Sequence, residues 1–394
     1  MLTQRGWVAA GAGVALLVLW FTVGEVELGI AGLLILAAVA ASLLAVRGRR
    51  PRLGVLRRSS PPGVHEGDHA SVNLRIVNRG PLLRQLTLTD EVTGLGTAEF
   101  ATAEIRPGQA VTAAYRVLCR PRGAYPIGPV SIEVADPLGL AVTATTAGTV
   151  DTLVVYPSIE MLDGLPGVPG KNLAVNAVRP EHSQRGGEDF YTLREYQQGD
   201  DMRRVHWPSS ARRDRLMIRQ LETPWQARAL ILLDVRARAY PDEGAFEAAV
   251  SGAASALRHL SRGGFAVDLW TGDGEMGHPG RKDSYTAALE RLAVVTTRQM
   301  VDLPAVASGL RQGGGGMLVL VTGRADETLL GVARMLDPTH PTRLLMSSAG
   351  DDTTLSGYHQ AGITVVAPAP GATWAESWSR AIRGAAWQTA SVSS

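Results

Sequence analysis

The chain has one cysteine, Cys119, in 394 residues. That excludes an intrachain disulfide and a cysteine-based zinc site, and it suits a reducing compartment. Lysine is almost missing: it stands only at positions 171 and 282, so nearly all cations are arginine. A GC-rich coding bias explains this more simply than any special use of guanidinium chemistry. The formal net charge is only +2, so no basic excess marks the whole chain for nucleic acid. Two catalytic signatures are also missing. There is no Gly-x-Ser-x-Gly elbow, and the glycine run 313–316 is not followed by the Lys-Ser/Thr of a phosphate-binding loop.

What the sequence does have is apolar length at its start. Residues 7–23 (WVAAGAGVALLVLWFTV) and 30–46 (IAGLLILAAVAASLLAV) carry no charge. Each is near the lower limit of the roughly 17–25 residues that span a bilayer core. A signal peptide would explain the first run but not the second. Arg5 precedes the pair, the turn 24–29 holds two Glu and no cation, and Arg47, Arg49, Arg50, Arg52, Arg57 and Arg58 follow. Cations stay on the cytoplasmic side. The expectation is a double-pass tether within residues 1–50 that contacts membrane lipids, with both termini and the whole body cytoplasmic. The arginines after the second run serve as its stop-transfer flank.

Beyond the tether the pattern changes twice. Over residues 60–157, short alternating runs such as Val72, Leu74 and Ile76 are punctuated by Gly and Pro turns, which predicts a small β-sandwich. Residues 158–226 hold a Gly- and Pro-rich linker followed by a dense polar segment. Over 227–386 continuous apolar runs alternate with helical ones: strands near 229–233, 265–270, 317–321, 343–346 and 363–366, helices near 244–262, 284–294, 327–336 and 375–383. That order predicts a mostly parallel sheet covered on both faces. Residues 387–394 read as a disordered tail.

The dense segment, 185–219, packs turns, aromatics and arginines closely. Gly199-Asp200 signals a turn, Asp200 or Asp201 caps a short helix over 202–207, and Pro208 ends that helix. Its charges balance over 181–225, with eight Arg against eight Asp and Glu, which weakens a phosphate-backbone footprint. Arg194, Glu195, Tyr196, Gly199, Asp200, Arg204, Trp207, Ser210 and Arg212 resemble the signature of the DUF58 family. Pro208 departs from that pattern, where a polar or basic residue commonly precedes Ser-Ala-Arg.

The resemblance implies a multidomain chain: a transmembrane helical hairpin, an Ig-like β-sandwich, and a von Willebrand factor A-like (Rossmann-type) α/β domain. It also implies a partner, a MoxR-type AAA+ ATPase, in protein complex assembly. In A-type domains that hold a metal, an Asp after the first strand is followed by hydroxyl residues two and four positions on. Here Asp234 is followed by Arg236 and Arg238, which would repel a divalent cation, so the position reads as degenerate. Thr322, Asp273 and Asp326 are the remaining oxygen donors near strand ends.

The reading is a non-enzymatic membrane scaffold with no cofactor, no metal and no nucleic acid. Its signature segment is either an interdomain brace or a docking surface. A hydrolase or nucleotide- or metal-binding enzyme, and a cell-envelope binding module, are the alternatives.

Overall fold

Two apolar helices open the computed structural model, which describes residues 1–47, 51–165, 191–196, 202, 205–221, 228–271, 284–310, 316–338, 340–349, 352–369 and 371–392. The chain divides into two units, Met1–Ser158 and Ile159–Ser394. In the first, α1 (Gln4–Val23) and α2 (Val26–Arg47) hold 20 and 22 residues, about 30 Å each. Both are long and apolar enough to cross a bilayer. Thr3 caps α1 by accepting from the Gly6 amide, and Gly24 closes it at φ 85°. The helices meet through glycine: a Cβ on Gly13 would lie 2.9 Å from Leu36 Cγ, and one on Gly32 2.9 Å from the Gly13 carbonyl oxygen. Small residues at such a crossing let two backbones approach closely.

Ten strands follow. β1 (Leu53–Ser60), β3 (His69–Asn78) and β6 (Ala110–Leu118) make one antiparallel sheet. The other holds β2 (Gly63–His65), β4 (Leu83–Val92), β5 (Gly96–Ile105), β7 (Gly123–Ile127), β8 (Val130–Ala135), β9 (Val142–Ala147) and β10 (Asp151–Tyr156). Leu74 and Ile76 point inward as their alternation predicts and share a core with Leu86, Leu88 and Ile132 of the second sheet. β7 and β8 are parted at Gly128-Pro129.

The strands start earlier than expected, at Leu53 rather than near residue 60. This corrects one reading of charge. Arg57 is no membrane flank: β1 turns its guanidinium into the sheets, where only 3% of the side chain is exposed. It donates to Asp90 at 2.6 and 3.2 Å and to Asp151 at 3.0 Å. It also reaches the Ile127 and Thr149 carbonyls. Gly128 must be glycine here, because it sits at φ 78° and a Cβ would strike the same guanidinium. The amino terminus joins this unit too, since Met1 donates to the Val142 carbonyl and Leu2 bridges Ala141.

The second unit is built on a five-stranded parallel sheet. In chain order its strands are β13 (Arg228–Leu233), β14 (Ala266–Trp270), β15 (Met317–Thr322), β16 (Thr342–Ser347) and β17 (Thr364–Val366); across the sheet they run β14-β13-β15-β16-β17. Before it come β11 (Tyr191–Glu195), α3 (Trp207–Arg213) and β12 (Met217–Leu221). Among the described residues six further helices accompany the sheet: α4 (Glu243–Arg262), α5 (Ser284–Val294), α6 (Leu303–Leu310), α7 (Glu327–Leu336), α8 (Asp352–Gln360) and α9 (Trp374–Val392).

Residues Ala229 to Leu233 are all buried, as are Met317 to Thr322. Two continuous apolar runs of this kind form central strands covered on both faces. The start of the expected linker is fixed to this unit: the Glu160 amide donates to Ser255 Oγ and the Trp378 indole to the Gly164 carbonyl. Helix α9 continues to Val392, through most of the expected disordered tail.

Candidate functional site: a guanidinium-filled sheet edge and a pinned hairpin

The order β14-β13-β15 places β13 where the chain switches sides, so the carboxyl ends of β13 and β15 flank the position where open α/β sheets receive ligands. Asp234 follows β13 and is fully buried. Its backbone amide donates to the Val321 carbonyl, and Thr322 Oγ1, at the end of β15, donates to its Oδ2 at 3.0 Å. Arg236 lies two residues on. Its amide donates back to Asp234 Oδ1, a local turn that folds the side chain over the strand end.

The Arg236 side chain is only 2% exposed and forks onto two carboxylates. Nε and Nη2 reach Asp234 Oδ1 and Oδ2 at 2.9 and 2.8 Å. Nη1 and Nη2 reach Asp326 Oδ2 and Oδ1 at 2.8 and 3.0 Å. Asp326 is the N-cap of α7, and its Oδ1 also accepts from the Leu329 amide. Two tyrosines close the cluster: the Tyr240 hydroxyl donates to the Asp234 carbonyl and the Tyr358 hydroxyl to that of Asp326. Gly323 lets the turn at Ala239 approach, since a Cβ there would strike the Ala239 carbonyl.

Burial alone would raise the Asp326 pKa. The hydrogen bonds from Arg236 and Leu329, and the charges of Arg236 and Arg238, outweigh it and hold this carboxyl below the usual range. Burial would likewise lower the Arg236 pKa, but hydrogen bonds and charge from Asp234 and Asp326 raise it, so the guanidinium stays charged. Tyr240 and Tyr358 are pushed up chiefly by burial. They act as hydroxyl donors, not as bases.

Asp234, read from sequence as a degenerate metal position, is thus salt-bridged within its own loop. A divalent cation does not fit here, because the oxygens it would need are already ligands of a guanidinium. Asp326 and Thr322, noted only as residual donors, prove central. Asp273 lies outside the described residues. The signal available in sequence was Asp326 itself, a capping residue just before the amphipathic run of α7.

The signature segment forms a second construction. β11 and β12 pair antiparallel, with Arg194 in register with Ile218 and Glu195 with Met217. Between them α3 is inserted and pinned. Ser210 Oγ donates to the His206 carbonyl and accepts from the Met217 amide at 2.8 Å. The Tyr196 amide donates to the Leu216 carbonyl, and Val205 bridges Ile218. Val205, Met217 and Ile218 are buried beneath.

Pro208 stands in the first turn of α3, which begins at Trp207, so it does not end a helix there; residues 203 and 204 of the expected helix over 202–207 lie outside the described residues. The first turn of a helix has no use for the N–H that proline lacks, so it tolerates the ring. Glu195 pairs with Arg215 at 2.8 Å. Trp207 is 63% exposed, and Arg212 and Arg213 are exposed on the same short helix. Gly199, Asp200 and Arg204 lie outside the described residues.

Residues 192–275 match the family described as protein of unknown function DUF58. An uncharacterized Bacillus subtilis protein, YeaD, is 30% identical over 161 residues, which cover 41% of this chain and 39% of that one. The match therefore spans about two-fifths of the relative's length. Among solved structures, the CARDB domain of a Pyrococcus furiosus protein is 13% identical, covering 25% of this chain and 89% of that one at a TM-score of 0.19. Spo0M, a sporulation control protein from Bacillus subtilis, is 11% identical, covering 26% and 49% at a TM-score of 0.17. At those scores neither likeness carries an argument.

Proposed function

We propose that this DUF58 family protein is a membrane-tethered, non-catalytic adaptor that docks a MoxR-type AAA+ ATPase in protein complex assembly. The observation that carries the proposal is Trp207, 63% exposed on a helix whose base Ser210 pins to β12. A large aromatic beside Arg212 and Arg213 has the composition of an interface anchor. An exposed indole on a rigid base costs little entropy to dock. The ATPase as partner comes from the family resemblance.

Three structural readings go with it. The five-stranded parallel sheet supports a von Willebrand factor A-like domain in the second unit. The two strand layers sharing one core support an Ig-like β-sandwich in the first. The tether reading is supported by exposed Trp7, Phe21, Leu33, Leu34 and Leu44 on α1 and α2, an apolar surface that suits lipid better than water. Met1 and Leu2 pair with the strand region at Ala141 and Val142, so the amino terminus lies on the same side as the strands. With the arginine flank, that favours a cytoplasmic body and cytoplasmic termini.

Trp207→Ala and Arg212→Glu should abolish co-purification with the ATPase from native membranes, leaving membrane insertion and thermal unfolding near wild type. If both variants instead lose folding, the segment is a brace and the docking proposal fails.

A further inference from the structure

We infer that the Arg236 guanidinium is a tethered replacement for a divalent cation, so that the carboxyl edge of the parallel sheet is a latent metal site held shut by its own chain. The inference is independent of where any partner docks. Two carboxylates from two elements converge on one point, Asp234 after β13 and Asp326 at the start of α7, and Thr322 at the end of β15 donates to Asp234 Oδ2 beside them. Carboxylates so placed are hard oxygen ligands of the kind Mg²⁺ takes, at about 2.0–2.1 Å. The point they face holds guanidinium nitrogens at 2.8 to 3.0 Å. A metal ion and this fork cannot share those oxygens.

The substitution is also nearly complete. A guanidinium has five N–H donors, and four are spent on the two carboxylates. The one N–H left over, on Nη1, belongs to a side chain only 2% exposed, so it is no vacant coordination position like that of a metal. It cannot dissociate, and it stays charged at any physiological pH. What a bound ion would do for the loop after β13, fixing it to the cap of α7, Arg236 does permanently.

The test is thermal unfolding of the full chain in detergent, with EDTA or with millimolar MgCl₂, together with metal analysis of the purified protein. Wild type should melt at the same temperature in both and carry no stoichiometric divalent metal. Arg236→Ser puts a hydroxyl two residues after Asp234 and frees both carboxylates. It should melt well below wild type in EDTA and recover several degrees with magnesium. Arg236→Ser/Asp326→Asn should lose that recovery. Arg236→Lys keeps one charge but not the fork, so it should be destabilised and insensitive to magnesium.

A saturable magnesium shift in wild type, or one equivalent of co-purified metal, overturns the inference. So does an Arg236→Ser protein as stable as wild type in EDTA, or one that magnesium leaves unchanged. If Arg236→Ser does not fold, the wild-type measurements decide alone.

Discussion

At the scale of single residues, the charges that matter most are the ones a sequence count misplaces. Arg57 stands among six arginines after the second apolar run, and nothing in that spacing separates a flanking cation from a buried one. Its role depends on Asp90 and Asp151, which only the pairing of distant strands brings to it. Tyr115 adds its hydroxyl to Asp90 at 2.6 Å. Removing one partner of a buried pair leaves the other uncompensated and costs about 3–5 kcal/mol. Asp90→Asn should therefore destabilise the first unit by about that much in calorimetric unfolding; a loss under about 1 kcal/mol would mean the pair is dispensable. Asp234 was easier to read. The arginines at positions 236 and 238 were visible as hostile to metal, and a local pairing was the natural consequence. That Asp326 would complete it was not visible, because 92 residues of chain separate it from Asp234.

At the scale of elements, what could be read followed the strength of the hydrophobic period. Helices α5 and α7 match their expected bounds, and β13 and β15 nearly so, because their apolar runs are long and unbroken. Helix α8 (DTTLSGYHQ) has little apolar period of its own and is drawn in by Leu355 and Tyr358 packing on the sheet core. Helix α6 is short and carries Pro304 in its first turn, so its helical period is too brief to stand out in the sequence. β5 (GTAEFATAEI) is mostly small and polar residues, and pairing with β4 makes it a strand. Pro208 was read as a stop and proves a start, since proline suits the first turn of a helix as well as the residue beyond its end. The apolar hairpin was visible, but its crossing point was not. Gly13→Leu should force α1 and α2 apart and lower the melting temperature of the protein in detergent. Gly11→Leu is the control, because a Cβ there meets nothing within 4 Å. Equal loss in both variants would mean that the glycine contact does not hold the hairpin.

At the scale of the whole molecule, the sequence announced its succession: two apolar helices, a strand-rich unit, then a parallel α/β unit. Composition shifts and Gly/Pro punctuation carry that much, because each layer type needs its own hydrophobic pattern. Function was less legible, since a docking surface needs only exposed residues on a firm base, and exposure has no periodicity. The account comes down to whether the face around Trp207 meets an ATPase in the native membrane. A photo-crosslinking residue placed at Trp207 of the full chain, and in parallel at Met161, which is equally exposed at 63%, measures this directly. The account predicts an adduct with a MoxR-type AAA+ ATPase from position 207 and none from 161. No ATPase adduct at 207, or the same yield from both positions, would contradict it.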